Sequence, residues 1–282
     1  MDGKWVRDQI FAELKPRVAK LTASRRPPGL AVILVGNDPG SEIYVRIKIK
    51  TCQELGIYSE KITLPDSTTS GELLGIIEGL YQRPEIDGIL VQTPLPPQVD
   101  KNRVLRALKP DKDVDGFHPL NVGALVENIP GPRACTPVGI MEMLRRYKIP
   151  VSGRKAVVVG RSDIVGKPLA LLLLHANATV TICHSKTSNL AEECRRADIL
   201  VAAIGRAHLI TREFIKPGAV VVDVGMNRKP DGKLAGDVNP EDAKALASAY
   251  TPVPGGVGPL TIAMLMSNTV EIAEQHLCSE SG

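Results

Sequence analysis

Short apolar runs rich in β-branched residues alternate along the chain with longer stretches of helical periodicity. The runs are Leu30–Val35, Gly88–Gln92, Ala156–Val159, Thr179–Ile182, Ile199–Ala203 and Ala219–Val224. Most are unbroken by polar residues, the pattern of strands covered on both faces. Between them, Leu73, Ile76, Ile77 and Leu80 recur at i, i+3, i+4, i+7 spacing and predict a helix over Ser70–Tyr81. Trp5–Leu21, Pro168–Ala176 and Leu260–Leu277 read as helices in the same way. Strand and helix in alternation predict an α/β architecture with parallel sheets. Ser41–Leu55 supports two readings. Ile43, Val45, Ile47 and Ile49 alternate as a strand would, whereas the length, and Ser41 as an N-cap, suit a helix.

Proline and glycine mark the domain organisation. Asn128-Ile129-Pro130-Gly131-Pro132 is a loop, and a new strand begins after Pro150–Gly153. Residues 151–226 hold four strands in βα alternation and read as one nucleotide-binding unit. The N-terminal stretch of some 130 residues reads as a second α/β unit. Pattern alone assigns the last helix to neither.

Composition narrows the function classes. With 282 residues, 43% hydrophobic and 23% charged, the chain can bury a sizeable core and is not a disordered polymer. A net charge of +4 suits anionic small ligands without demanding nucleic acid. Aromatics at 3% are too scarce for a base-stacking single-strand binder. No apolar run approaches the ~18 residues of a membrane span, and MDGKWVRDQI lacks the apolar core of a signal peptide. Cys52, Cys135, Cys183, Cys194 and Cys278 are odd in number and widely spaced. They predict reduced thiols in a cytoplasmic protein, not a disulfide framework or a zinc site.

Four motifs carry candidate chemistry. After the strand Ala156–Val159 comes GRSDIVGKP and then a leucine-rich helix. A glycine turn at a helix N-terminus lets backbone N–H groups approach a diphosphate, and Pro168 suits the first helical turn. Ser162 stands where a dinucleotide fingerprint has its second glycine. About 20 residues on, an NAD site places an acid on the ribose 2′-hydroxyl. Here CHSKT offers Ser185 and Lys186 instead, with Arg161 on the neighbouring turn. Donors and positive charge favour NADP over NAD.

Asp111-Lys112-Asp113-Val114-Asp115-Gly116 has the beginning of a calcium loop, but its twelfth position is Val122, which cannot bind the ion, so no metal is expected. An acid in this loop suits hydrogen bonds from an amino-heterocycle. In YVRIKIK, a helical reading puts Ser41, Tyr44, Lys48 and Cys52 on one stripe. TPVPGGVGP and QTPLPP are rigid loops of the kind that bind ligands at strand ends.

YVRIKIK, DGILVQTPLPP, PDKDVDGFHPLN, GRSDIVGKP, CHSKT, VDVGMN, GDV and TPVPGGVGPLT occur in this order, and together they resemble the bifunctional methylenetetrahydrofolate dehydrogenase/cyclohydrolase family from about Ser41 to Ala273. The resemblance implies two α/β domains with a cleft between them. The folate-binding catalytic domain would span 1–137, completed by the C-terminal helix 260–282. A Rossmann-type, doubly wound NADP-binding domain would span 138–259. It implies NADP-dependent oxidation of 5,10-methylenetetrahydrofolate and hydrolysis of the methenyl product to 10-formyltetrahydrofolate, in one-carbon metabolism, by a short, two-activity homodimer. It also settles Ser41–Leu55 as a helix.

The same resemblance implies the site. Lys48 assists hydrolysis by activating water or relaying a proton, and Gln92 hydrogen-bonds and poises it. Tyr44 packs against the folate, Asp115 holds the pterin's amino edge, and Pro254, Gly255 and Gly258 line the folate site. Gly160, Arg161 and Ser162 meet the cofactor phosphates, Ser185 the ribose 2′-phosphate, and the Met226 backbone the nicotinamide end. Asp163, an acid near phosphates, is mildly unfavourable. A dehydrogenase acting on a shikimate-like hydroxy acid would not account for Gln92 or PVPGGVGP, and a nucleotide-sensing module would need neither Lys48 nor Tyr44.

Overall fold

The computed structural model describes residues 1–280, whose contacts form two compact units. In chain order the elements are α1 (Gly3–Ser24), β1 (Gly29–Val35), α2 (Pro39–Leu55), β2 (Tyr58–Leu64), α3 (Ser70–Tyr81), β3 (Gly88–Val91), α4 (Lys101–Ala107), α5 (Pro119–Val126) and α6 (Cys135–Arg146). Then come β4 (Lys155–Val159), α7 (Gly166–His175), β5 (Thr179–Cys183), α8 (Leu190–Arg195), β6 (Ile199–Ala202), β7 (Val220–Asp223), β8 (Asn227–Arg228), β9 (Leu234–Ala235), α9 (Pro240–Leu246), β10 (Ala249–Tyr250) and α10 (Gly258–Glu280). Residues 281–282 of the expected last helix lie outside the described residues.

One unit comprises Ile10–Ala124, Ile129–Arg133 and the chain from Leu265 onward. Its sheet has the order β2-β1-β3, all parallel. β1 is central and buried along its whole length, as its unbroken apolar sequence requires. Ala31, Ile33 and Val35 of β1 and Ile89 and Val91 of β3 form one core face with Leu73, Ile77 and Leu80 of α3. Thr69 caps that helix in a reciprocal box with Glu72, which fixes its first turn. β2 escaped the sequence reading because YSEKITL is an edge strand, never fully buried and rich in polar residues.

The stretch with two readings is the helix α2. Asp38, not Ser41, is its N-cap: the Asp38 carboxylate accepts from Ser41 N at 2.7 Å, and Pro39 opens the helix. Gly56 closes it at φ 78°, in the left-handed region that a C-cap requires. The alternating isoleucines that suggested a strand are partly exposed: Ile43 and Ile47 face outward, while Val45 is fully buried.

The other unit comprises Met1–Gln9, Leu125–Asn128 and Ala134–Met264. Its five-stranded parallel sheet has the order β10-β7-β6-β4-β5. Side chains alternate along β4. Val157 and Val159 enter one core with Cys183, Leu200 and Val221. Ala156 and Val158 enter the opposite core with Leu169, Leu173, Ile140 and Leu144. A sheet buried on both faces leaves its strand ends as the places where loops can meet a ligand. β8 and β9 form a small antiparallel ribbon.

Candidate active site

Three residues of the expected hydrolytic centre come together in the first unit. Gln92 follows β3, and its backbone N–H donates to Ile33 O at 2.9 Å, which holds it at the sheet end. Its side-chain Nε2 donates to Thr93 O at 2.7 Å, which leaves Oε1 to accept from Lys48 Nζ at 2.9 Å. Lys48 is half-buried on α2, and Tyr44 lies one turn before it with 39% of its surface exposed.

Asp115 completes the group. Burial pushes its carboxyl up to about 6; the Lys48 charge pulls it down and Asp113 pushes it further up. Asp113 itself is fully buried. Its Oδ2 accepts from His118 N at 2.7 Å and Asn121 Nδ2 at 2.9 Å, so Asp113 shapes the loop that presents Asp115. Burial raises the Asp113 carboxyl, and the bonds from His118 and Asn121 counter this.

The second group lines a hollow of about 500 Å³ in the other unit, within the range of small-ligand sites. Gly160, Arg161 and Ser162 supply one wall and His184, Ser185 and Thr187 another. Gly160 has φ +136°, and a Cβ there would meet Ala203 O at 2.2 Å. A Cβ on Gly166 would meet Gly160 O at 2.2 Å, so the turn closes onto the start of α7 only with glycine at both places. Ser162 stabilises that start, its Oγ accepting from Val165 N at 3.2 Å and Gly166 N at 3.4 Å. The turn after β5 is fixed by His184 N donating to Thr187 Oγ1 at 2.9 Å, which leaves Ser185 exposed beside the hollow. Lys186 is not among the lining residues. Asp163 pairs with Lys167 at 2.5 Å, so its charge is compensated beside the turn.

The lining includes two arginines and no carboxylate. A cradle that a Cβ would fill, a helix N-terminus and positive side chains together fit a phosphorylated dinucleotide.

Pro254 and Gly255 line a different hollow of the same unit, with Lys4, Lys244 and Tyr250. Gly255 accepts from Gly3 N at 2.9 Å, and Gly258 opens α10. Met226, after β7, is 45% exposed, and a Cβ on Gly258 would lie 3.6 Å from its Sδ.

Two family models match the chain. The tetrahydrofolate dehydrogenase/cyclohydrolase catalytic domain matches residues 1–115, and the NAD(P)-binding domain of the same family matches residues 134–277.

The chain belongs to the tetrahydrofolate dehydrogenase/cyclohydrolase family.

It is similar to the bifunctional protein FolD of Solibacter usitatus (strain Ellin6076), 64% identical over 298 aligned positions that cover 98% of this chain and 97% of that protein. It is similar in structure to the FolD methylenetetrahydrofolate dehydrogenase/cyclohydrolase of Campylobacter jejuni, with TM-score 0.95, 45% identity, and 97% and 98% of the two chains covered. The Trypanosoma brucei enzyme, solved with NADP cofactor and an inhibitor, gives TM-score 0.93 at 39% identity over 98% and 97% of the two chains. The second unit of this family member binds NAD(P).

Several structural residues of the two sites escaped the sequence reading. Asn268 donates to Val114 O at 2.8 Å and to Arg133 O at 2.9 Å, tying α10 to the Asp115 loop. A lone asparagine in an apolar helix was its only signal. Asp223 ends β7 buried, its carboxylate accepting from Gly225 N, Asp237 N and Val238 N at 2.9–3.0 Å. Burial still pushes that carboxyl up to about 6 against those bonds. Thr251 Oγ1 accepts from Asp223 N at 2.7 Å, which fastens the start of the PVPGGVGP loop to β7. Among the described residues, no cluster of side chains could hold a metal ion.

Proposed function

We propose that this chain oxidises 5,10-methylenetetrahydrofolate and hydrolyses the methenyl product to 10-formyltetrahydrofolate, with Lys48 as the proton-handling residue of the hydrolysis. Membership of the family carries the two activities. The Lys48–Gln92 hydrogen bond, with Asp115 close enough to feel the lysine charge, supports the residue roles.

NADP, when bound, supplies the hydride acceptor for the oxidation. Gly160, Arg161 and Ser162 hold its phosphates, Ser185 its ribose 2′-phosphate, and the Met226 backbone the nicotinamide end. Gln92 fixes the direction of the Lys48 ammonium because its own amide is already oriented by Thr93. Once the ammonium has shed a proton to solvent, the Lys48 amine takes up the proton that water loses as it adds to the methenyl carbon, and the proton is passed to N5 as the carbon–N5 bond breaks to leave the 10-formyl group. Asp115, as a carboxylate, accepts from the pterin's amino edge, and Tyr44 offers its exposed ring to the folate.

The assay that tests this follows NADPH formation and methenyl absorbance together, with purified protein, methylenetetrahydrofolate, and NADP or NAD in turn. NADPH formation with little accumulated methenyl is the expected result. A persistent methenyl signal would mean that hydrolysis is lost, and no turnover with either cofactor would overturn the reading.

The same reading gives a cytoplasmic homodimer that acts in one-carbon metabolism and feeds purine, methionine and histidine biosynthesis. The free cysteines Cys52, Cys135, Cys183, Cys194 and Cys278 support a reducing compartment. No described helix is long and apolar enough to cross a membrane.

A further inference from the structure

Arg206, in the turn after β6, lines the same hollow as Arg161, Ser162 and Ser185. Its backbone is held with unusual care. Asp237, which has no exposed surface, accepts from Ile204 N at 2.5 Å and Gly205 N at 3.0 Å through Oδ2. Its Oδ1 accepts from Arg206 N at 2.9 Å and Asn227 Nδ2 at 2.9 Å. Asp237 is anchored in turn by donating its own N–H to Asp223 Oδ1 at 2.9 Å. A buried carboxylate is costly unless it is fully bonded, and here four donors saturate it. What these bonds fix is one wall of the hollow: three consecutive N–H groups of the turn that carries Arg206.

That wall packs against the glycine turn. Strand β6 neighbours β4, and the close approach of Ala203 O to Gly160 joins the two turns where phosphates would lie. Among the described residues the Arg206 guanidinium has no hydrogen bond or ion pair, and the hollow it borders has no carboxylate to receive it. A fork of N–H donors with no protein partner, on a fixed backbone beside an anion cradle, suits a phosphate.

We infer that Arg206 is a ligand for a phosphate of the dinucleotide and that Asp237 is the residue that positions it. This rests on the NADP reading above. Arg161 and Ser185 would then not carry the cofactor's charge alone, and Arg206 would add a second guanidinium from the opposite side of the β4 turn.

The test uses the full chain with Arg206→Gln and Asp237→Asn. Arg206→Gln is expected to raise the KM for NADP about tenfold, the scale of one charge-assisted hydrogen bond. Hydrolysis of supplied methenyltetrahydrofolate, which uses no cofactor, should stay within about twofold of the parent. Inhibition by 2′-AMP and by ADP separates the two phosphate positions. Weaker 2′-AMP inhibition assigns Arg206 to the 2′-phosphate, and weaker ADP inhibition assigns it to the diphosphate. An unchanged KM for NADP in Arg206→Gln overturns the ligand role. Asp237→Asn is expected to raise KM more than it lowers kcat with hydrolysis retained, and an equal loss of both activities overturns the positioning role. If the parent chain itself reduces no NADP, the proposed function fails instead, a result distinct from either.

Discussion

Lys48 and Gln92 stand 44 residues apart in the chain, and the lysine ammonium donates to the glutamine carbonyl oxygen across 2.9 Å. The bond joins a helix face to a strand end, so the ammonium sits where the fold puts it and not where solvent would. Lys48→Met should cut methenyl hydrolysis by about 10²–10⁴, the usual contribution of a positioned acid–base group. Gln92→Ala should lower it less, because it frees the lysine without removing it. Both are read from the decay of methenyl absorbance with no cofactor present. Full hydrolysis by Lys48→Met would remove the lysine from the mechanism.

Asp115 should make folate binding depend on pH. Burial pushes its carboxyl up to about 6, above the ordinary carboxylate range near 4. Substrate held by the carboxylate should therefore bind more tightly as pH rises through about 6, and Asp115→Asn should flatten that profile. Stability moves the other way. The raised value means that the folded chain holds the proton where the unfolded chain has lost it, so this group costs stability as pH climbs from about 4 to 6. Urea titrations of parent and Asp115→Asn at acid and neutral pH should show the parent losing ground with rising pH.

Gly160→Ala should weaken NADP binding severely, because its Cβ would enter the space of Ala203 O and the backbone at φ +136° disfavours alanine. Steady-state KM for NADP and hydrolysis of supplied methenyl substrate separate local from global damage. The first should rise by more than about tenfold while the second is retained.

Asp87 is the ionic anchor of the first unit. Fully buried at the start of β3, it accepts from Arg26 at 2.7 and 3.0 Å, from Gly29 N at 2.9 Å and from His276 Nδ1 at 3.0 Å. Burial alone would raise its carboxyl, but the bonds from His276, Arg26 and Gly29 outweigh it and hold the group below the usual range. Its stabilisation is therefore present at neutral pH and is lost as pH falls through that lowered value. Asp87→Ala should cost about 3 kcal/mol in urea unfolding at pH 7, since it leaves Arg26 facing a carboxylate that is gone. A change below about 0.5 kcal/mol, the scale of an ordinary surface substitution, would show the network to be incidental.

Most of the strands were legible because a fully covered parallel strand must be apolar at every position. Leu30–Val35 and Ala156–Val159 could hardly be anything else. The helix over Ser70–Tyr81 was legible from its periodicity, and its observed ends coincide with the expected ones. The edge strand β2 was not, because half of an edge strand faces water. The helix α2 was ambiguous for a related reason: its outward isoleucines are exposed, so hydrophobicity did not report its buried face. Its actual cap, Asp38, lay three residues before the one expected.

The order of residues along the chain was enough for the α/β class, the glycine turn that admits a dinucleotide and, through eight ordered motifs, the family. These are properties of local backbone chemistry and of residue order, which the chain carries before it folds. Tertiary structure alone decided that Lys48 meets Gln92, that Asp113 is buried while Asp115 is presented, that Asp87 gathers Arg26 and His276, and that Asp237 holds the turn of Arg206. All but the Asp113 loop are contacts between residues far apart in sequence, and whether a carboxylate is solvated or saturated by N–H donors that folding brings to it leaves no mark on its neighbours along the chain.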